Sequence, residues 1–486
     1  MNIKKCFEVD VDCLKKYDMV KSIDRLNEVF KSKENAKGVG LYNFVDELDV
    51  IEALYYIIKY SKGNKRPSKK DIKKLGMDLT IKRIADEDNQ YTDFYNEYNG
   101  EITDIHLIFL GQRIYGRFSD YLLDNYGFDA SIIIYINLFL AHISSLFFTF
   151  EDIKRFSLGF NKSEQVESML VQYVKNNSIG ITDLKLQSIK SFKKDFLKNN
   201  FIKIDGQRYL GFYHLIRTSY LTNFHYMLYK DEEYKKYRGD IFENITEELF
   251  NHHLTNARIY KNLKYNRGEV DVLVEYDNII LIIECKSGLL YTDYRLGAQN
   301  EKVNKNISAI YEKAKNQLNN IKVAIETKCT FRDGKHKVIF DSSKEIIKLQ
   351  VCYEMPIGIA NKDKYDQMIS ITLPDLMIIV DQIEYPTFSN IQVDNIISYL
   401  HCRQELLGIN TDDEITIMIF ILYNHNMKKI INNDLISKLR LDSKDSISRI
   451  NEFYSFLMRV YIFKDSREYE LVKLNYYGFL REFILN

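Results

Sequence analysis

Residues 268–288 read GEVDVLVEYDNIILIIECKSG, and this stretch constrains the fold more than any other. Two runs rich in Val, Ile and Leu flank Asp277-Asn278, which predicts a two-residue hairpin turn in which Asn tolerates positive φ. With Tyr276 facing Ile279, the register sets Asp271 opposite Glu284 and Glu269 opposite Lys286. Side chains alternate along a strand, so Asp271, Glu284 and Lys286 share one face near the open end of the hairpin. Val270, Val272, Val274, Leu281 and Ile283 take the other face, against a core. Leu273, Ile280 and Ile282 share the charged face, which argues against a merely solvated surface. A slip of one residue would undo the grouping.

Carboxylates on neighbouring strands repel and raise each other's pKa unless a cation lies between them. An oxygen-only site with few ligands suits Mg²⁺, with Mn²⁺ as substitute, because both are hard cations that keep several waters. Asp271 and Glu284 are the expected ligands, and the backbone carbonyl of Cys285 offers a further oxygen. Lys286 then stands beside the attacking water, placed to orient it or to balance developing charge. These parts describe metal-assisted phosphodiester hydrolysis.

The segments GEVDVLV and IIECKSG together resemble the PD-(D/E)xK phosphodiesterase superfamily, which has the restriction-endonuclease-like fold. The resemblance covers about residues 236–345, and extends to about 405 at most. It implies an α/β nuclease core, a mixed sheet flanked by helices. Asp271 and Glu284 become metal ligands and Lys286 the catalytic lysine. A Glu on the helix before the hairpin is expected at Glu243, with Glu247 one turn later as the substitute. A Gln on the helix after it is expected at Gln317, with Lys313 one turn earlier on the same face. Val270 replaces the Pro of the motif. A second E-x-K, Glu326 to Lys328, sits on a strand-like run but has no hairpin partner. His252 and His253 lack HExxH spacing and read as exposed residues.

The 486 residues allow two or three domains. Residues 1–230 read as a large, mainly helical accessory region without a cluster that carries chemistry. Residues 231–405 form the nuclease-like domain, and 406–486 a small, mainly helical region whose 433–457 segment reads as ordinary packing helices, with a helix-turn-helix or winged-helix piece as the alternative. Lys plus Arg and Asp plus Glu balance at 68 each, so a contact with nucleic acid needs a local patch. Arg267, Arg295, Lys302, Lys305 and Lys313 are the candidates around the site. None of the six cysteines forms a CxxC pair, and no apolar signal core follows Lys4-Lys5, so a reducing cytoplasm is expected. The uncharged run Ser131–Phe150 has membrane-spanning length, yet Asn137, His142 and acidic flanks favour a buried helix and no membrane contact. The expected function is a metal-dependent nuclease acting on DNA in restriction or anti-phage defence, as a homo-oligomer or with a partner protein. The competing reading is a catalytically inactive nuclease fold that binds nucleic acid or serves as a scaffold.

Overall fold

The computed structural model describes residues 9, 11–34, 47–85, 115–143, 146–160, 162–199, 201–211, 224, 227–229, 231–266, 268–290, 301–353, 365–384, 386, 393–407 and 414–423. The chain divides into two units, one of Met1–Asn99, Tyr115–Lys230 and Thr292–Ala298, the other of Gly100–Ile114, Asp231–Tyr291 and Gln299–Asn486. Both contain helices and a mixed sheet, so the protein is α/β throughout.

The first unit contains helices α1 (Met19–Glu34), α2 (Glu47–Tyr60), α3 (Lys69–Ala85), α4 (Ile132–His142), α5 (Phe150–Ser157), α6 (Ser163–Asn176) and α7 (Ile189–Lys198). Strands β1 (Phe147–Phe148), β2 (Ser178–Gly180), β3 (Phe201–Lys203) and β4 (Tyr209–Leu210) form a sheet in the order β1-β4-β3-β2. The long apolar run is not one helix. It stops at His142, where Ile143 turns extended, and resumes as β1 before Thr149 caps α5 with a capping box. Ile132, Ile133, Ile136 and Phe139 are fully buried. No helix among the described residues is long and apolar enough to cross a membrane. Strands β3 and β4 form a hairpin whose turn is built by the Asp205 carboxylate. That group accepts from the backbone N–H of Gln207 (2.9 Å) and of Arg208 (2.8 Å).

The second unit opens with α8 (Glu232–His253). It begins at Glu232 because the Asp231 side chain caps it by accepting from the N–H groups of Glu233 and Tyr234. There follow β5 (Arg258–Tyr265), β6 (Gly268–Tyr276), β7 (Ile279–Lys286), α9 (Glu301–Glu326), β8 (Phe331–Asp333), β9 (His336–Val338), β10 (Glu345–Cys352) and β11 (Ile369–Thr372). Then come α10 (Leu373–Glu384), α11 (Ile396–Glu405) and α12 (Glu414–Tyr423). The seven strands run in the order β11-β10-β7-β6-β5-β8-β9, with β7-β10-β11 parallel and the remainder antiparallel. The second E-x-K is not on a strand: Glu326 ends α9 and Lys328 lies in the following turn at φ 55. The apolar spacing Ile321, Ala324, Ile325 continues the buried stripe of α9, so helical packing prevails over local β character. Strand β5 was not read from the sequence, because its mixed Lys, Asn and Tyr pattern leaves only Leu263 buried.

The hairpin register is Tyr276↔Ile279 through Val272↔Ile283, as expected. The left-handed residue of the turn is Asp277, at φ 47, rather than Asn278. Asp277→Gly should therefore raise stability by ~0.5–1 kcal/mol, since Gly adopts this backbone without a Cβ penalty. A denaturant midpoint shifted upward at constant slope would show it; a lower midpoint would contradict it.

Both faces of the hairpin are covered. Leu273, Ile280 and Ile282 join Tyr311, Leu318, Ile321 and Ile325 of α9 in one buried cluster. Cys285 Sγ lies 3.6 Å from Thr246 Oγ1 of α8, so α8 covers the face that alternation gives to Leu281, Ile283 and Cys285. Val270 departs from the expected face and packs in the α9-side cluster. It neighbours the point where Asn262 of β5 takes φ 54 and the β5–β6 ladder skips a step. Of the C-terminal region, only 406–407 and 414–423 are described, and the winged-helix reading of 433–457 lies outside the described residues.

Candidate active site

Strand β7 has β10 on one side and β6 on the other, so its backbone is held from both edges. At its end it presents Glu284, Cys285 and Lys286. Asp271 stands on β6 one step past the last paired residues, and its Oδ2 accepts from the Cys285 N–H at 2.7 Å. In an antiparallel pair a residue directs its N–H and C=O toward the same neighbour, so the Cys285 carbonyl also faces the β6 side. The group that contacts Asp271, however, is the amide and not the carbonyl.

Lys286 Nζ donates to Glu284 Oε1 and to Gln317 Oε1, the latter at 2.9 Å. Gln317 reaches the site because α9 lies along this face of the sheet. Glu243 comes from α8 and is close enough to Asp271 to feel its charge. Glu247, the substitute, instead accepts from Asn251 one turn on along the same helix. Asp271, Glu284, Lys286, Gln317 and Glu243 thus converge from two strands and two helices.

The electrostatics are those of a crowded acidic site. Burial, then the charge of Asp271, pushes Glu284 up to about 8, while Lys286 pulls it down. Burial also raises Asp271, against the pull of the Cys285 N–H and Lys286. Glu243 rises to about 7 for the same two reasons as Glu284. The Glu284 side chain is 1% exposed, and its Oε2 is buried without a hydrogen-bond partner. A buried oxygen without a donor costs free energy unless a proton or cation satisfies it. Adjacent carboxyls, an orphaned oxygen and no soft ligand make a donor set that fits Mg²⁺ or Mn²⁺. The Cys285 thiol, driven up by burial, remains protonated and turned toward Thr246.

Among the basic candidates, Lys302, Lys305 and Lys313 lie exposed along α9, with Lys305 paired to Glu301 at 2.6 Å. Arg267 and Arg295 lie outside the described residues. One basic residue near the site was missed: Arg238 of α8, whose Nε donates to Ser287 Oγ at 3.2 Å just beyond Lys286. Only its place in RGDIFENITEEL, five residues before Glu243, could have marked it. His253 is not exposed as expected: its side chain is 9% accessible and lies against Glu384 of α10. That carboxylate comes from a distant part of the chain, which spacing within the His pair could not reveal.

The chain matches no protein-family model, and neither a curated protein nor a solved structure matches it.

Proposed function

We propose that this protein is a metal-dependent nuclease of the restriction-endonuclease-like class, hydrolysing phosphodiester bonds in DNA. The observation that carries the reading is the buried Glu284 carboxyl, with an unsatisfied oxygen, set against Asp271 and joined to Lys286 and Gln317. Asp271 and Glu284 would hold the metal ion, which when bound supplies a Lewis acid to polarise a phosphate oxygen. Lys286, anchored between Glu284 and Gln317, keeps a cation where negative charge develops on the phosphorane. Glu243, held partly protonated near neutral pH, is able to accept or return a proton at its carboxylate. Arg238 is the nearest added cation for a flanking phosphate. A role in restriction or anti-phage defence rests on the resemblance alone.

Incubation with linear, circular and single-stranded DNA and with RNA, each with Mg²⁺, Mn²⁺ or EDTA, tests this reading. Cleavage of DNA with either metal and none in EDTA is expected. Binding without cleavage under every metal condition would favour the inactive nucleic-acid-binding alternative. Gln317→Ala is expected to lower kcat by roughly 10-fold, the scale of losing an outer-shell partner, with KM little changed. An unchanged kcat would remove Gln317 from the site.

A further inference from the structure

The far end of α8 carries a second cluster of metal-type donors that the proposed chemistry does not use. His252 and His253 end α8, and Glu384 ends α10. His253 Nδ1 lies 2.5 Å from Glu384 Oε2, and His252 Nε2 lies 4.0 Å from Glu384 Oε1. One ligand atom from each of the three residues falls within 4.8 Å of the others. The imidazole rings are edge to face, with centroids 4.9 Å apart. The same residues line a cavity of about 230 Å³ that also meets Asp394 and Asn395, ahead of α11.

The geometry points to a binding site for a borderline transition-metal cation, Zn²⁺ foremost, formed by His252, His253 and Glu384 with Asp394 or water completing the set. Two imidazoles and a carboxylate select Zn²⁺ and its late first-row neighbours over Mg²⁺, which prefers oxygen alone. Tetrahedral Zn²⁺ with ligands at ~2.0–2.1 Å sets donors roughly 3.3 Å apart. The three ligand atoms lie within 4.8 Å of one another, so side-chain rotation would have to draw them together around the ion. The cavity has room for the ion and a water. The site is separate from Asp271 and Glu284: His253 lies about 15 Å along α8 from Glu243, at 1.5 Å rise per residue. A bound ion would pin the end of α8 to the end of α10 and the start of α11. Glu243 and the lining of the hairpin ride on that same helix, so the pin would steady the sheet from below.

The test uses the full chain, stripped with EDTA and titrated with Zn²⁺ in excess Mg²⁺, which occupies the oxygen-rich site. Wild type should bind one equivalent of Zn²⁺ and melt at a higher temperature. Co²⁺ in its place should give the visible bands of a low-coordinate centre. His253→Ala and Glu384→Ala should each weaken Zn²⁺ by at least about 10-fold, a loss that even an outer-shell partner produces. Asp271→Ala should retain the equivalent in full. His252 has a 38% exposed side chain, so His252→Asn serves should His253→Ala fail to fold. Failure of wild type to take up Zn²⁺ in Mg²⁺ would overturn the assignment, as would unaltered affinity in the His252 and Glu384 variants. Neither outcome bears on cleavage by the site at Asp271.

Discussion

Lys286→Ala lowers the rate of metal-dependent cleavage by ~10²–10³-fold, the scale for removing one group that stabilises developing charge. Asp271→Ala lowers it by ~10³-fold or more, since losing several kcal/mol of metal-borne stabilisation costs a factor of ten per 1.36 kcal/mol. The two losses differ in origin. Lys286 is positioned by Glu284 and Gln317, so its removal takes away a cation while leaving both carboxyls in place. Lys286→Ala should therefore still gain thermal stability from Mg²⁺, whereas Asp271→Ala should gain little. Lys286→Arg should not restore the rate, because a planar guanidinium cannot occupy the space of a compact ammonium between those two side chains. Single-turnover cleavage beside melting curves for each variant decides the matter. Wild-type rates in both alanine variants would show that the carboxylate–lysine cluster is not the reacting centre.

Stability without metal falls as pH rises from about 4.5 to 8, and Mg²⁺ recovers it. Glu284 is pushed up to about 8 in the folded chain from an ordinary 4.5. Between those values the folded state holds the proton that the unfolded state has released, so each increment of pH favours unfolding. Above the folded pKa the penalty is complete, on the order of 5 kcal/mol at 1.36 kcal/mol per pKa unit. Glu243, raised to about 7, adds in the same direction. So does Asp375 on α10, raised to about 7 by burial, although it lies outside the carboxylate cluster. Two variants separate these contributions. Glu284→Gln should remove the largest part of the pH dependence, leaving that of Asp375, and abolish the Mg²⁺ response. Asp375→Asn should flatten it in part and leave the Mg²⁺ response intact. Mg²⁺ at about 100 times its dissociation constant should stabilise wild type by ~2.7 kcal/mol at pH 8. Melting curves at pH 5 and pH 8, in EDTA and in Mg²⁺, give every term. A melting temperature insensitive to Mg²⁺ at pH 8 would argue that the cluster is a buried acid pair and nothing more.

The hairpin was legible because its information is local. Alternation, a short turn and adjacent strands determine which side chains meet, and few residues separate Asp271 from Glu284. Gln317 was named from the family resemblance alone, which expects a Gln on the helix after the hairpin, and its contact with Lys286 comes from the packing of α9. The turn chemistry was less so: Asp277 and Asn278 both tolerate positive φ, and only the twist of the finished sheet assigns it to Asp277. Strand β5 escaped because an edge-like, mostly exposed strand needs little apolar periodicity once β6 offers a ladder.

Order along the chain and apolar period determined by themselves the hairpin register, the shared face of Asp271, Glu284 and Lys286, and the helices on either side. Tertiary structure alone decided that Glu243 and not Glu247 faces the cluster, that Glu284 is buried with an unsatisfied oxygen, and that His252 and His253 meet Glu384. These are properties of burial and of contacts between distant segments. Desolvation and through-space charge exist only once the chain has closed around them, so no spacing of residues encodes them directly.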